Sequence, residues 1–119
     1  MKLQGEGKLL RVFIGESDKM GHQALCEVIV KAAKEHGLAG ATVLRGIEGF
    51  GAKSRAIHTA KILRLSEDLP IIIEIVDTEE NIKAFLPFLD GLIESSACGV
   101  LVTLEKVEVI HYGSGRKPQ

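Results

Sequence analysis

The chain has 119 residues, of which 45% are hydrophobic and 26% are charged, as is ordinary for a single globular domain. Its formal net charge of −1 excludes the strongly basic surface of a general nucleic-acid-binding protein. The sequence has no apolar run near the ~18 residues of a membrane span, and its polar N-terminus lacks a signal-peptide core, so we expect a cytoplasmic protein.

The first half of the chain predicts a strand, a helix and a second strand. Residues 9–14 are mostly apolar and form the first strand. Ser17 or Asp18 provides the N-cap of the helix, and Gly37 ends it in a left-handed conformation. Residues 41–45 form a short second strand. The buried helix face, which follows the i, i+3, i+4 spacing, comprises Leu25, Val28, Ile29, Ala32, Ala33 and His36.

The second half predicts another strand and another helix. Residues 70–76 are nearly all β-branched, which is typical of a central strand that is buried on both faces. Asp77 and Glu80 have the spacing of an N-cap and its partner in a capping box. Within the helix, Pro87 is expected to cause a kink or an early end. The helix buries a stripe that consists of Ile82, Phe85, Leu86, Leu89 and Ile93.

The last apolar segments, residues 99–104 and 107–112, alternate as strands do. They form either one long bent strand or a hairpin through Glu105 and Lys106. The resulting βαββαβ order predicts an α+β fold of the ferredoxin-like type, in which two helices cover one face of an antiparallel sheet. The other face is too apolar for water, and the same face of another copy is its simplest cover.

We expect the whole chain, residues 1–119, to form one domain. The ordered part is expected to extend over about residues 8–113. The tail at 114–119 consists of small, charged and amide residues and Pro118, so we expect it to be disordered.

The longest connection, residues 46–69, follows the second strand and has a strong charge bias. Connections of this length usually carry function in compact domains. The window from 52 to 65 contains no Asp or Glu, and Gly49-Phe50-Gly51 precedes it. Backbone amides in such a turn can point at one anion. The basic residues of the window favour a phosphate or carboxylate ligand or an acidic partner surface; they are Lys53, Arg55, Lys61 and Arg64, with His58 beside them.

Two cysteines and one histidine raise the question of a metal site. His22 and Cys26 have i, i+4 spacing on the predicted first helix, and such a pair can share a metal ion. We favour the interpretation of a surface histidine beside a buried cysteine, because no further ligand cluster is evident. Cys26 and Cys98 are both interpreted as small core residues.

Catalytic groups are not identifiable from residue spacing. Glu74 lies among isoleucines and is either a catalytic carboxylate or, as we favour, the partner of a cation such as Arg11 or Arg45. His111 and Tyr112 are either ordinary strand residues or part of a ligand cleft. We therefore expect a binding protein and no enzyme.

The residues around the long connection resemble the PII signalling proteins, in which a Gly-x-Thr-Val strand leads into a Gly-Phe-Gly turn at the base of a flexible T-loop. The matching residues are Gly40-Ala41-Thr42-Val43 and Gly49-Phe50-Gly51. The chain is still more similar to a PII-like family of bacterial and archaeal proteins, over about residues 8–113. The closer resemblance is carried by residues 40–46, 49–51, 65–70 and 103–107.

The resemblance implies a ferredoxin-like subunit with a T-loop-like connection, a trimer, and ATP or ADP in the cleft between subunits. Thr42 is then expected near the adenine. The turn of Gly49, Phe50 and Gly51 is expected near the phosphates or the base.

The chain also departs from the PII pattern. Residues 95–99 lack the glycine-rich phosphate loop, and His111 and Gly113 stand where PII proteins place two arginines. Phosphate contacts are then expected from the local cations of the connection and from backbone amides at 49–52. With His111 added as a candidate, these nucleotide-binding side chains are Lys53, Arg55, Arg64 and His111.

These observations predict a PII-like regulator that binds ATP, ADP or AMP between subunits. Ligand binding orders the connection, which then docks on an unknown target protein. The adenine nucleotide is a ligand, and we expect no required cofactor. The alternative is a metal- or amino-acid-binding module of the same fold. An enzyme that acts on a phosphorylated substrate is the third interpretation.

Overall fold

The computed structural model describes residues 5–51 and 68–115. The connection at 52–67 and both ends of the chain, including the predicted tail from 116 onward, lie outside the described residues. The strands are β1 (Gly5–Gly15), β2 (Lys19–Met20), β3 (Gln23–Ala24), β4 (Thr42–Arg45), β5 (Pro70–Asp77) and β6 (Leu101–Val109), and the helices are α1 (Leu25–Glu35) and α2 (Glu79–Ser96).

The main sheet has the strand order β4-β5-β1-β6, and every neighbouring pair is antiparallel. Strands β2 and β3 form a separate small hairpin. Two crossover helices join the first to the second and the third to the fourth strand of the main sheet. This arrangement is the predicted α+β ferredoxin-like fold. None of the helices in the described ranges is long and apolar enough to cross a bilayer.

The core lies between the sheet and the two helices. Alternate residues of the central strands point into it, such as Val12 of β1 and Ile73 of β5, both fully buried. Strand alternation with period two and helix periodicity near 3.6 explain why one face of each element is buried in this core. The helices contribute Leu25, Ile29, Ala32, Ala33, Ile82, Phe85 and Leu89.

The start of α1 differs from the prediction. The N-cap residue is Ala24, and no side chain caps the helix, so neither Ser17 nor Asp18 is its N-cap. The β2–β3 hairpin separates these two residues from the helix. Asp18 instead stabilises the hairpin, because its Oδ2 accepts from the Gly15 N–H at 2.8 Å and its carbonyl accepts from the Leu25 N–H at 2.9 Å.

The end of α1 agrees with the prediction in its backbone but not in the burial of His36. Gly37 has a φ of +77°, the left-handed conformation that glycine adopts at low cost. His36 was predicted on the buried face but is exposed. It lies just after the helix, where its ring contacts the exposed ring of Phe88 with centroids 4.5 Å apart.

The start of α2 also differs from the prediction. The N-cap is Thr78, whose side chain accepts a hydrogen bond from the Asn81 N–H at 3.1 Å. Asp77 is the last residue of β5 and pairs with Lys8 of β1, so the predicted capping box with Glu80 is wrong. Pro87 does not end the helix, which continues to Ser96. Burial of Phe85 and Leu89 on either side of the proline offsets the lost backbone hydrogen bond.

The last strand resolves the two alternatives for residues 99–112. β6 is one continuous strand that pairs with β1 from Phe13↔Leu101 to Gly5↔Val109. The pairing also shows that β1 begins at Gly5, four residues before the predicted strand. Residues 110–115 follow β6 without regular structure.

Candidate functional site

The face of the sheet away from the helices has an apolar row across all four strands. Residues paired directly opposite one another in an antiparallel sheet share a face. The registers therefore align Leu44 of β4, Ile72 of β5, Phe13 of β1 and Leu101 of β6. We call these four residues the outer apolar row. Leu44 is 45% exposed and Leu101 is 56% exposed, so much apolar surface contacts water in a single chain.

An ion cluster lies beside the outer apolar row. Arg11 Nε donates to Glu74 Oε2 at 2.9 Å, and Arg11 Nη1 donates to Glu105 Oε1 at 2.6 Å. The hydrogen bond to Glu74, opposed in part by desolvation, raises the pKa of the Arg11 guanidinium. Glu74 thus has the cation partner that we favoured, and this partner is Arg11. Arg45 pairs with Glu16 instead, at 3.2 Å.

A first cleft, which we call the Phe50 cleft, lies at one end of the outer apolar row. Its volume is about 330 Å³, and its walls include Phe13 and Leu101 of the row. The predicted turn of Gly49, Phe50 and Gly51 lines it. The other described lining residues are Ile14, Gly15, Asp18, Asp68, Pro70 and Gly99.

Close packing explains why glycine precedes the Phe50 turn. A Cβ atom at Gly46 would lie 2.7 Å from Pro70 Cγ, and one at Gly49 would lie 3.2 Å from the same atom. The Gly46 N–H also donates to the Pro70 carbonyl at 2.7 Å. The glycines therefore hold the turn tightly against the start of β5, which leaves Phe50 67% exposed at the cleft.

A second cleft, which we call the His111 cleft, lies at the other end of β4. Its volume is about 420 Å³, and it brings together Thr42 and His111, which are far apart in sequence. Glu74 of the ion cluster and Tyr112 also line it. The remaining lining residues are Ala39, Gly40, Ala41, Val76 and Val109.

The two clefts divide the predicted site residues into two groups. On β5, Pro70 lines the Phe50 cleft, whereas Glu74 lines the His111 cleft. Four residues of a strand span about 13 Å. Within one chain, Thr42 and His111 therefore do not meet the turn at 49–51. The predicted phosphate contacts Lys53, Arg55 and Arg64 lie outside the described residues.

The basis of the metal alternative is wrong. His22 lies in the turn between β2 and β3, whereas Cys26 lies in α1, so the two do not share a helix face. The described parts of the chain contain no group of three or more His, Cys, Asp or Glu side chains that could hold a metal ion. Cys26 and Cys98 are free thiols that are partly buried and pack against the core.

Sequence reasoning missed several cleft residues. Phe13 and Leu101 belong to predicted strands, and strand alternation places them opposite the core-facing residues. Which of them meet at one edge depends on the register of β1 with β6, which the sequence does not reveal. Asp18 was assigned to a helix cap. Asp68 belongs to the end of the long connection, and the path of that connection cannot be predicted from local sequence.

Solved structures show that this chain shares the fold of PII-like proteins. CPII, a nitrogen regulatory PII-like protein from Thiomonas intermedia bound to ADP, AMP and bicarbonate, has a TM-score of 0.66 at 19% identity, with 92% of each chain covered. A putative PII-like signalling protein from Thermus thermophilus has a TM-score of 0.61 at 23% identity and covers 92% of this chain and 94% of its own. A phage SAM lyase in complex with S-methyl-5′-thioadenosine has a TM-score of 0.51 at 19% identity, with 94% and 90% covered.

The sequence itself identifies the family. The chain belongs to the DUF190 family, described as "Uncharacterized ACR", whose model matches residues 7–109. A UPF0166 protein of Aquifex aeolicus is 41% identical over 104 residues, which cover 87% of this chain and 93% of that protein. The predicted family of uncharacterised proteins is thereby confirmed, and the solved structures show that its fold is PII-like.

Proposed function

We propose that this protein binds an adenine nucleotide at a site that two copies complete, and that it acts as a PII-like regulator without catalysis. The observation that carries the proposal is the division of the candidate residues between two clefts at opposite ends of β4. A second copy that brings its Phe50 cleft to the His111 cleft of the first would unite Thr42 and His111 with the turn at 49–51.

The outer apolar row supports a second copy as the missing part. Leu44 and Leu101 are 45% and 56% exposed, and contiguous exposed apolar surface marks association sites. The row ends at the Phe50 cleft, because Phe13 and Leu101 belong to both. Association over this face therefore brings the cleft next to the neighbouring copy. A closed ring, and specifically a trimer, is the assembly that we propose.

The ligands of structural neighbours support the adenine class. CPII was solved with ADP and AMP, and the phage SAM lyase was solved with S-methyl-5′-thioadenosine. These three ligands share an adenine ring and a ribose, whereas the bicarbonate in the same CPII structure does not. Phe50 is an exposed aromatic ring at the mouth of its cleft, and aromatic rings stack on nucleobases.

The proposed signal arises in the connection that follows Gly51. Its cations, Lys53, Arg55 and Arg64, would contact the phosphates of the bound nucleotide. Phosphate contacts would then order the connection for docking on a target protein. The proposal places the protein in the cytoplasm, in keeping with the free thiols of Cys26 and Cys98.

Isothermal titration with ADP, AMP and ATP tests the proposal. We expect a micromolar Kd for at least one nucleotide and about tenfold weaker binding in Phe50→Ala and in His111→Ala, one variant for each cleft. Phe88→Ala is the matched control, because Phe88 is also an exposed aromatic residue but lies on the helix side.

Three results would contradict parts of this proposal. Absence of binding to all three nucleotides overturns the ligand class. Weaker binding in only one of the two cleft variants overturns the shared site but leaves nucleotide binding. Equal weakening in Phe88→Ala shows that the losses come from general damage to the fold.

A further inference from the structure

Ala39, a wall residue of the His111 cleft, is fixed through both of its backbone groups. Its N–H donates to Asp77 Oδ2 at 2.8 Å, and its carbonyl accepts from the Tyr112 O–H at 3.2 Å. Ala39 is followed directly by the residues that lead to Thr42 along the same cleft. Side chains from two distant parts of the chain therefore set the path of the backbone that enters β4.

Asp77 holds the Ala39 N–H from inside the protein. It is fully buried, and its second carboxylate oxygen accepts from the Thr78 N–H at 2.6 Å and from Asn81 Nδ2 at 3.0 Å. Buried carboxylates need such donors, and hydrogen bonds to charged groups are the stronger kind. The carboxylate thus joins the end of β5, the first turn of α2 and the segment before β4.

Tyr112 reaches Ala39 from the opposite edge of the sheet. β6 pairs with β1, and β4 is the third strand away from β6. Three strand spacings correspond to about 14 Å. Residues 110–112 must therefore cross the end of the sheet to place the Tyr112 hydroxyl at Ala39. We call residues 110–112 the crossing segment, and it forms the wall of the cleft that carries His111.

We propose that Tyr112 and Asp77 are positioning residues of the His111 cleft, which hold the crossing segment and the start of β4 at a fixed separation. Asp77 fixes Ala39, and Tyr112 holds the crossing segment against Ala39. Thr42 and His111 therefore face each other across the cleft before any ligand arrives. Preorganised walls raise affinity because less ordering is lost on binding.

The affinity part of this inference rests on the proposed nucleotide function, so the test has two readouts. Tyr112→Phe removes only the hydroxyl, and Asp77→Asn replaces an acceptor of the Ala39 N–H by an amide. Asn81→Ala is the matched control, because it removes a hydrogen bond to the other oxygen of Asp77 and leaves Ala39 untouched. Each protein is examined by titration with ADP and by amide hydrogen exchange of the unliganded protein.

We expect Tyr112→Phe and Asp77→Asn to bind ADP about fivefold more weakly and to exchange the amides of residues 39–42 about fivefold faster. Asn81→Ala should lower the urea midpoint of unfolding but leave ADP affinity and these amides unchanged. The readout therefore separates positioning from stability. If Asp77→Asn fails to fold, the comparison of Tyr112→Phe with Asn81→Ala decides the question.

Unchanged exchange at 39–42 in Tyr112→Phe overturns the positioning role, whether or not ADP binds. Faster exchange with unchanged ADP affinity also overturns it, since the fixed wall then has no effect on binding. If the wild-type protein binds none of ADP, AMP and ATP, the proposed ligand class fails, and exchange alone still decides whether Tyr112 and Asp77 fix the wall.

Discussion

Cys26 illustrates how the surroundings of one side chain change its chemistry. It lies in the first turn of α1, partly buried against the core. Burial, aided by the negative charge of Glu27, raises the pKa of its thiol. Because the thiolate is the reactive form of cysteine, a raised pKa leaves less of it at neutral pH. Cys26 is therefore expected to react slowly in the folded protein.

This expectation is tested by alkylation with iodoacetamide as a function of pH in a Cys98→Ala background. In the folded protein, the rate at Cys26 should rise with pH around a midpoint above that of an unfolded thiol, because the protonated form is favoured up to a higher pH. In urea the midpoint should fall to that of a model cysteine peptide. Equal midpoints in the folded and unfolded protein would contradict the effect of burial.

The roles of single polar residues were the least predictable from the sequence. Asp77 and Thr78 are consecutive and both are good N-cap residues. Which of them caps α2 depends on where β5 ends, and that is set by the pairing of Asp77 with Lys8. In the same way, aspartate is a favoured N-cap residue, but the β2–β3 hairpin separates Asp18 from α1.

At the level of elements, α2 depends on its N-cap. The Thr78 side chain accepts from the Asn81 N–H, and Glu79 forms an ion pair with Lys83 at 2.8 Å. The hydrogen bond from Lys83, together with its positive charge, lowers the pKa of the Glu79 carboxyl. The Thr78 cap and the Glu79 carboxylate both lie at the first turn, where free N–H groups and the helix dipole favour oxygen acceptors and negative charge.

We expect Thr78→Ala to lower the free energy of unfolding by about 1 kcal/mol, because one N–H of the first turn loses its acceptor. Thr78→Ser keeps the hydroxyl and should remain close to the wild-type value. Urea unfolding followed by circular dichroism measures both. A loss in the serine variant equal to that in the alanine variant would show that the methyl group, and not the cap, is responsible.

The four strands of the main sheet and the two helices were predicted, because their signals are local, but the short β2–β3 hairpin was not. The run of β-branched residues in β5 and the i, i+3, i+4 spacing in α1 are readable without knowledge of any partner. The continuity of β6 was not readable, since Glu105 and Lys106 are equally suited to a turn or an exposed edge strand. Glu105 and Lys106 are part of a strand because they pair with Leu9 and Lys8 of β1.

At the level of the whole molecule, the solvent exposure of the outer apolar row has no explanation in a single chain. Its residues come from all four strands of the main sheet, so the row exists only in the folded protein. Neighbours on β4 point to opposite faces of the sheet. Leu44 belongs to the row, whereas Val43 pairs with the buried Ile73 and lies on the helix side.

This alternation provides a matched pair of variants for the proposed assembly. Leu44 and Val43 are 45% and 43% exposed, so a glutamate at either position meets similar solvent in a single chain. We expect Leu44→Glu to convert the proposed oligomer into a 12.9 kDa monomer and Val43→Glu to leave it assembled. Light scattering after gel filtration measures the mass. Assembly that survives Leu44→Glu would contradict an interface on the outer face.

The resemblance named residues for a candidate site, but the geometry of the two clefts could not be predicted from the sequence. The resemblance to PII proteins pointed to Thr42 and the turn at 49–51, and the structure places both beside clefts. The contact between Tyr112 and Ala39 joins residues 73 positions apart. It depends on the path of the chain after β6, which neither periodicity nor spacing encodes.

The two clefts lie at opposite ends of β4, and this position would fix the number of shared sites in any closed assembly. Each copy would give its Phe50 cleft to one neighbour and its His111 cleft to the other, so sites and copies would be equal in number. A copy defective in one cleft would disable one site, and a copy defective in both would disable two. Occupancy of adjacent sites would thus be coupled through a four-residue strand.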